Sequence, residues 1–383
     1  MKSAFRLAMI AIATAASVQA PLKAQEPPAL KLVRDLRIDA AEVELSPITY
    51  MAVSPNGTIV VQQNQDGTVR FFAAGGASLG TFGRKGQGPG EFTNAGRLFW
   101  LGDTLVVSDI GTRRFTLIGA DRKLVRTVPW ATSVAAPGAP SSVAQQRVSQ
   151  ARFPYADGSQ LGFSGFSEET PIPAWLGGGK PAQVFLRVDA SGVLQNVLGR
   201  LPSSTNCNVV ISTNGGLELS RIPFCPLPMD EVAPDGARLV FAYVEQGASQ
   251  EYHVLALRSD ADTIFERSIT FRAQPIPRSV RDSIASAALR SPMPSRRATA
   301  ERIPEFYPPL SRILAGRDAT TWLELFSASG DRTWQMLDAK GNLSAKLTVP
   351  RNVDIKVASR DAIWATETDD DGLQHIVRYR VNR

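Results

Sequence analysis

Histidine and cysteine are scarce: two of each occur among 383 residues. His253 and His375 both fall in segments that read as third strands of a repeating unit, away from the first strands that would line the axis of a ring, so a structural role is expected for each. The P-loop, H-E-x-x-H and a strand–G-x-G-x-x-G–helix unit are missing, and the G-x-S-x-G match at Gly76–Gly80 sits in a turn between strands and not at the strand-to-helix elbow a nucleophile needs, which leaves the common hydrolase, nucleotide and zinc-protease chemistries without their carriers. No apolar run approaches the ~20 residues of a spanning helix, so the chain is expected not to cross a membrane. Its longest run, Leu7–Ala16, follows Lys2 and Arg6 and precedes small residues, which is the pattern of a signal peptide. Cleavage fits after Ala20 or after Ala24, and Pro21 disfavours the first, giving a signal peptide over 1–24 and a mature chain over 25–383.

No cysteine precedes Cys207, so no residue near the cleavage point could carry a lipid anchor, and a soluble periplasmic or secreted protein is expected. Losing Lys2, Arg6 and Lys23 with the signal lowers the formal charge of +6 to +3. The remaining basic residues are scattered, so nucleic acid is not an expected partner. In an oxidising compartment Cys207 and Cys225 are expected to form a disulfide, tying a hairpin about the turn Asn214-Gly215-Gly216. Two free thiols or half of a metal site are the alternatives; a zinc site would want two more ligands close by, and neither histidine is close in sequence.

Short apolar segments punctuated by turns fill the chain. One turn type recurs six times ahead of a β-rich run: Pro55-Asn56-Gly57, Leu101-Gly102-Asp103, Ala156-Asp157-Gly158, Pro234-Asp235-Gly236, Gly316-Arg317-Asp318 and Ser359-Arg360-Asp361. A second type, expected between third and fourth strands, recurs five times: Ala74-Gly75-Gly76, Gly119-Ala120-Asp121, Asp189–Gly192, Ser259–Asp262 and Asp338–Gly341. The last unit runs out at Val381 without a fourth strand, and Leu30–Ile38 is expected to supply it by pairing with His375–Val381, which removes an open sheet edge. The fold expected is all-β, a single six-bladed β-propeller closed by an N-terminal strand. The turn-to-turn spacings of 46, 55, 78, 82 and 43 residues bracket the ~40–50-residue period of propeller repeats. Two longer intervals hold insertions, one around the cysteine hairpin and one over 275–305 before blade five. Val280, Ile284 and Ala287/Ala288 predict one or two short amphipathic helices in the second. Ala131–Gln150, rich in Ala, Ser and Pro, reads as a loop without periodicity.

Between blades one and two stands Phe82-Gly83-Arg84-Lys85-Gly86-Gln87-Gly88-Pro89-Gly90-Glu91-Phe92, whose glycines suit a crossover through positive φ, with Phe82 and Phe92 anchoring its ends. This segment, followed by Asp103–Asp109 and Arg113-Arg114-Phe115, resembles the connecting loop of NHL-repeat-like six-bladed propellers, in particular exported bacterial ones. The resemblance is best over Ile48–Trp130, is fainter towards Asp354–Tyr379, and lapses in blades three and four. It implies binding of proteins, nucleic acid or small molecules through one face, with a minority of hydrolases and lyases among related propellers.

Candidate ligand-binding residues are Arg84, Lys85 and Arg97, on or beside that loop; solubilising the loop or pairing with nearby carboxylates is their plainer role. Glu367-Thr368-Asp369-Asp370-Asp371-Gly372 has a superficial likeness to a Ca²⁺ loop, but its twelfth position is Arg378 and a hairpin turn is required there, so a solvated turn is expected and no metal or other cofactor. The leading functional reading is a monomeric, non-enzymatic binding or scaffold propeller of the cell envelope, with a protein, peptide or glycan partner. The alternative is a lactonase- or lyase-type enzyme using a channel-bound divalent cation such as Ca²⁺. Three or four Asp, Glu or Asn side chains converging from different blades at the channel mouth would distinguish it.

Overall fold

The computed structural model describes residues 27–138, 146–214, 216–245 and 250–382. The signal peptide read over 1–24 lies outside the described residues, as do Gly215 and part of the 131–150 loop. Six antiparallel four-stranded sheets succeed one another along the chain as the blades of a six-bladed propeller. Blade one comprises Tyr50–Val53, Ile59–Gln63, Thr68–Phe72 and Ser78–Phe82; blade two Ala95–Leu101, Thr104–Asp109, Arg114–Ile118 and Leu124–Pro129. Blade three comprises Gln150–Pro154, Gln160–Gly165, Ala182–Val188 and Leu194–Pro202; blade four Met229–Val232, Arg238–Tyr243, Glu251–Arg258 and Thr263–Thr270. Blade five is Leu310–Ala315, Thr321–Leu325, Arg332–Leu337 and Leu343–Val349. Blade six contributes Val353–Ala358, Ala362–Thr368 and Gln374–Asn382, and takes Lys31–Ile38 as its fourth strand.

Second strands such as Ile59–Gln63 and Leu239–Ala242 are buried along their length because a neighbouring blade covers each of their faces. That explains their near-continuous Val, Ile and Leu runs, where a half-exposed strand would alternate. The outermost strand Ser78–Phe82 is mostly wet, in keeping with its rim position. Aromatic pairs fill the wedges between blades: Phe99 meets Phe153 edge-on at 5.1 Å between blades two and three, and Phe185 meets Phe241 at 4.7 Å between three and four. All six recurrent turns join first to second strands. Several are Asx turns, in which the Asp157 carboxylate accepts from the Ser159 amide at 2.9 Å and Asp235 from that of Ala237 at 3.0 Å.

Ring closure follows the expected pairing, running from Lys31 opposite Asn382 to Ile38 opposite Ile376. A register shift between Arg34 and Leu36 changes which side chains it buries: Leu30 and Ile38 are buried, Leu32 and Leu36 only half so, and Val33 is exposed. Asp35 sits at the shift, where its carboxylate accepts from Arg378 Nε and Arg380 Nε, both at 2.8 Å. The Arg378 hydrogen bond outweighs the cost of partial burial and, with Arg380, holds Asp35 below the usual carboxylate range. His375 is 2% exposed and has both nitrogens engaged: Nδ1 accepts from the Ala40 amide at 3.0 Å and Nε2 donates to Asp369 at 2.8 Å. It ties the N-terminal segment to blade six.

In an up-and-down blade the fourth strand ends where the next first strand begins, so every blade-to-blade crossover lies on one face of the ring. The cysteine hairpin, Asn208–Thr213 with Gly216–Arg221, is inserted in the crossover from blade three to four, and the Cys207–Cys225 disulfide closes its base. The 275–305 segment, in the crossover from four to five, forms α1 (Arg278–Leu289), the short α2 (Pro294–Arg297) and a 3₁₀ turn at Ala300–Arg302. The two insertions clasp each other. Ser295, fully buried, meets Ser220 Oγ at 2.8 Å and Glu218 at 3.3 Å, and Arg302 donates to the carbonyls of Asn206 and Asn208. The 131–150 segment departs from the expected plain loop, since Ser133–Val134 pairs with Gln146–Arg147.

Two outcomes are expected. A chain shortened to begin at residue 40 exposes the edge of Gln374–Asn382 and removes Leu30 and Ile38, each worth about 1.5–3 kcal/mol. It should aggregate or lose cooperative thermal unfolding, whereas melting within about two degrees of the parent would show the strand to be dispensable. Thiol titration of the denatured, unreduced protein should find no free thiol, and two reactive thiols would contradict the disulfide.

Candidate functional site

The first strands of all six blades line one central cavity of about 660 Å³. They do so unequally. Blade three reaches it through Arg152 alone, while the Trp100 amide of blade two donates directly to the Pro234 carbonyl of blade four at 2.8 Å. Blades two and four thus meet in front of blade three.

The cavity wall is charged, and its charges other than Arg221 are paired. Arg97 of blade two reaches Glu231 of blade four at 2.6 Å and the Asp230 carbonyl at 3.3 Å. Arg152 donates to Asp230 Oδ1 at 2.8 Å and lies over the Phe163 ring at 4.9 Å. On the opposite side Asp354 of blade six collects Arg312 at 2.8 Å, Arg332 at 3.0 Å and Lys356 at 2.8 Å, while Glu324 takes a second contact from Arg312 at 3.2 Å. Three atoms of this network are buried without a hydrogen-bond partner: Asp230 Oδ2, Arg152 Nε and Arg312 Nη2, the last in ion-pair contact with Asp354 but not aligned for a hydrogen bond.

Burial is the largest single influence on each acidity here, and neighbouring charges decide whether it prevails. Desolvation raises the Glu231 carboxyl above its usual range against the pull of Arg97. Desolvation lowers Arg152, with repulsion from Arg97 adding to it, and Asp230 only partly compensates. For Arg97 burial works the same way, but Glu231 and Asp230 outweigh it and the net direction is up. Burial would raise Asp354 too, yet Arg312, Lys356 and Arg332 together hold it below its model-compound value of 3.8.

Of the residues singled out from sequence, Arg97 lines this cavity; Arg84 and Lys85 are not among its lining residues. They lie on the blade one-to-two crossover, where Arg84 pairs with Glu91 at 2.7 Å. That loop is held by its own groups. Glu91 accepts from the Gly88 amide at 2.8 Å, and this bond, ahead of the one from Arg84, lowers its carboxyl. Arg114 donates to the Gln87, Gly88 and Glu91 carbonyls, and the buried Asp109 accepts from the Thr93, Asn94, Gly111 and Thr112 amides. Gly86 has φ +151°, and a Cβ there would stand 2.1 Å from the Glu91 carboxylate, so the glycine leaves room for the acid that organises the loop. The acidic Glu367–Gly372 segment is a hairpin turn in which Asp369 accepts from the Asp371 and Leu373 amides.

No family model matches the chain, and no curated protein matches it. Solved structures with a similar chain path include a DUF4221-family member from Bacteroides vulgatus, 9% identical, covering 92% of this chain and 99% of its own, with a TM-score of 0.48. Virginiamycin B lyase from Staphylococcus aureus is 11% identical over 92% of this chain and 99% of its own, at 0.41. The PQQ-bound aldose sugar dehydrogenase of Streptomyces coelicolor is 11% identical over 93% and 100%, at 0.42.

Sequence reading missed Arg152, Asp230, Glu231, Arg312, Asp354 and Lys356. Each stands in a first strand among apolar neighbours, where charge in a segment otherwise destined for burial is the available signal. Among the described residues no three His, Cys, Asp or Glu side chains are grouped so as to hold a metal ion; the channel carboxylates face guanidinium and ammonium groups.

A carboxyl whose folded-state pKa is depressed stabilises the fold above its unfolded value and loses that contribution as the pH falls through the folded value. Acidification below about 4 should therefore weaken the fold partly through Asp354. Asp354→Asn should be less stable than the parent at neutral pH and show a shallower loss between pH 5 and 3 in denaturant titrations. An unchanged acid slope would remove Asp354 from this role.

Proposed function

We propose that the protein is an exported, non-enzymatic binding propeller of the NHL-repeat-like kind that takes an anionic group at the channel mouth on its crossover face. The observation that carries this reading is the state of the channel charges. The lining carboxylates Asp230 and Glu231 are both engaged by cations, and Arg97, Arg152, Arg221, Arg312 and Lys356 outnumber them; Glu324 and Asp354, behind the wall, engage Arg312 and Lys356. The focused field of such a bore favours an incoming anion. Arg221, exposed at the mouth and without a carboxylate partner among the described residues, is the cation most available to it. A carboxylate-bearing glycan or peptide meets the requirement, in keeping with an envelope partner. Export is supported by the disulfide and by the signal-like N-terminal sequence.

A lactonase- or lyase-type enzyme would need carboxylates free to hold a divalent cation, and here a metal would have to displace bound guanidinium groups. Two measurements separate the readings. Elemental analysis of the purified protein should find less than stoichiometric metal, with no thermal shift on adding Ca²⁺. Phosphate or acetate should raise the melting temperature in a salt-sensitive manner that Arg221→Gln reduces. Stoichiometric metal, or indifference to anions, would favour the enzyme.

A further inference from the structure

The cysteine hairpin has two unlike faces. Strand alternation puts Val209, Ile211, Glu218 and Ser220 on one side, and these are buried or half-buried, with Glu218 and Ser220 against α2. On the other side stand Val210, paired directly across the hairpin with Leu219, and Leu217 opposite Ser212. These three are 55%, 61% and 77% exposed. A two-stranded ribbon is marginal by itself. The disulfide at its base and the helical insertion behind it hold this one upright, and the apolar side chains face water although a packed surface lies one residue away.

Arg221 belongs to that same exposed face, since it alternates with Leu219 and Leu217 along the strand, and it also lines the central cavity. The apolar face of the hairpin is therefore continuous with the cationic channel mouth. Leu227 and Met229, just beyond the disulfide, line the cavity as well. Side by side, these features make a surface with a cationic end inside the mouth and an aliphatic end rising out of it. Isolated exposed leucines need no explanation, but a leucine–valine cluster abutting an excess of arginine has a complementary shape in chemistry.

We propose that the hairpin is the apolar wall of the channel-mouth site and that its ligand is a free amphiphilic anion, with a carboxylate or phosphate-monoester head against Arg221 and an aliphatic chain along Val210, Leu217 and Leu219. The inference rests on the anion-binding reading given above and adds the ligand class. A lipid bilayer fits less well, because Arg221 lines the cavity and a head group reaching it must leave the plane of the membrane.

Octanoate and octyl phosphate, with acetate, inorganic phosphate and octanol as single-feature controls, test it by calorimetric titration of the whole protein. Octanoate or octyl phosphate should bind at least about tenfold more tightly than either its head-only or its tail-only control. Leu217→Ser/Leu219→Ser, at positions too exposed to matter for folding, should lose about that factor while leaving acetate and phosphate binding intact. Arg221→Gln should weaken the octyl anions and remove much of their salt dependence. Which of the two octyl compounds binds more tightly assigns the head group. Chain-length-independent binding, or a leucine double variant that binds octanoate like the parent, would overturn the apolar wall and leave the anion site standing. Failure of acetate, phosphate and both octyl anions alike would overturn both readings. Binding confined to anionic phospholipid vesicles, with none to free octyl anions, would replace the proposal with a membrane-surface role.

Discussion

The closed ring depends on one pairing made between distant parts of the chain, that of Lys31–Ile38 with Gln374–Asn382. Blade six has three strands of its own, and a sheet that ended there would leave a row of unpaired amides and carbonyls facing solvent. The N-terminal strand covers that edge, and the side chains around it add to the lock. Asp35 holds Arg378 and Arg380, Arg34 meets Glu367 at 2.7 Å, and His375 joins the two segments through Nδ1 while its Nε2 holds Asp369 in its own hairpin. The channel inherits its geometry from this closure, because six first strands can face a common axis only if the circle is complete.

The scaffold was legible in sequence because its signals are local. Asx and glycine turns, and the β-branched runs that follow them, depend on residues a few positions apart, and all six first-to-second turns stand where the pattern puts them. The closing strand could be inferred from the strand that the last unit lacks. Its burial could not, since the register shift at Asp35 depends on how Arg378 and Arg380 arrive from the partner strand. The channel was the least legible part. Arg97 and Glu231 are separated by 134 residues, and nothing in either local sequence announces the other. In the prominent Gly83–Gly90 motif, by contrast, the contacts are mostly local: Glu91 accepts from the Gly88 amide, and Arg114 of the neighbouring blade two strand donates to the loop's carbonyls.

Charge in the bore is arranged for restraint. Burying Arg97, Arg152, Glu231 and Asp354 costs desolvation energy that their mutual attraction roughly returns, so the network is better understood as fixing positions than as adding stability. The surplus of positive groups is what such an arrangement can offer to a visitor. The clasped insertions lie on the crossover face beside that opening, where loop length is least constrained by the blades and chemistry can vary without disturbing the ring.

Closing a circle with two strands so far apart in sequence also has a kinetic meaning. The strand that emerges early finds its partner more than three hundred residues later, as the 335-residue separation of Ala40 and His375 shows. Such long-range contacts slow folding and leave a lengthy interval in which blade six is unfinished. Blades one to five can each form from contiguous sequence as they appear, so the final search joins a preassembled arc to a waiting tail. A chain built in this way becomes a ring only once Gln374–Asn382 is available, and until then the Lys31–Ile38 segment is open to other partners, chaperones among them.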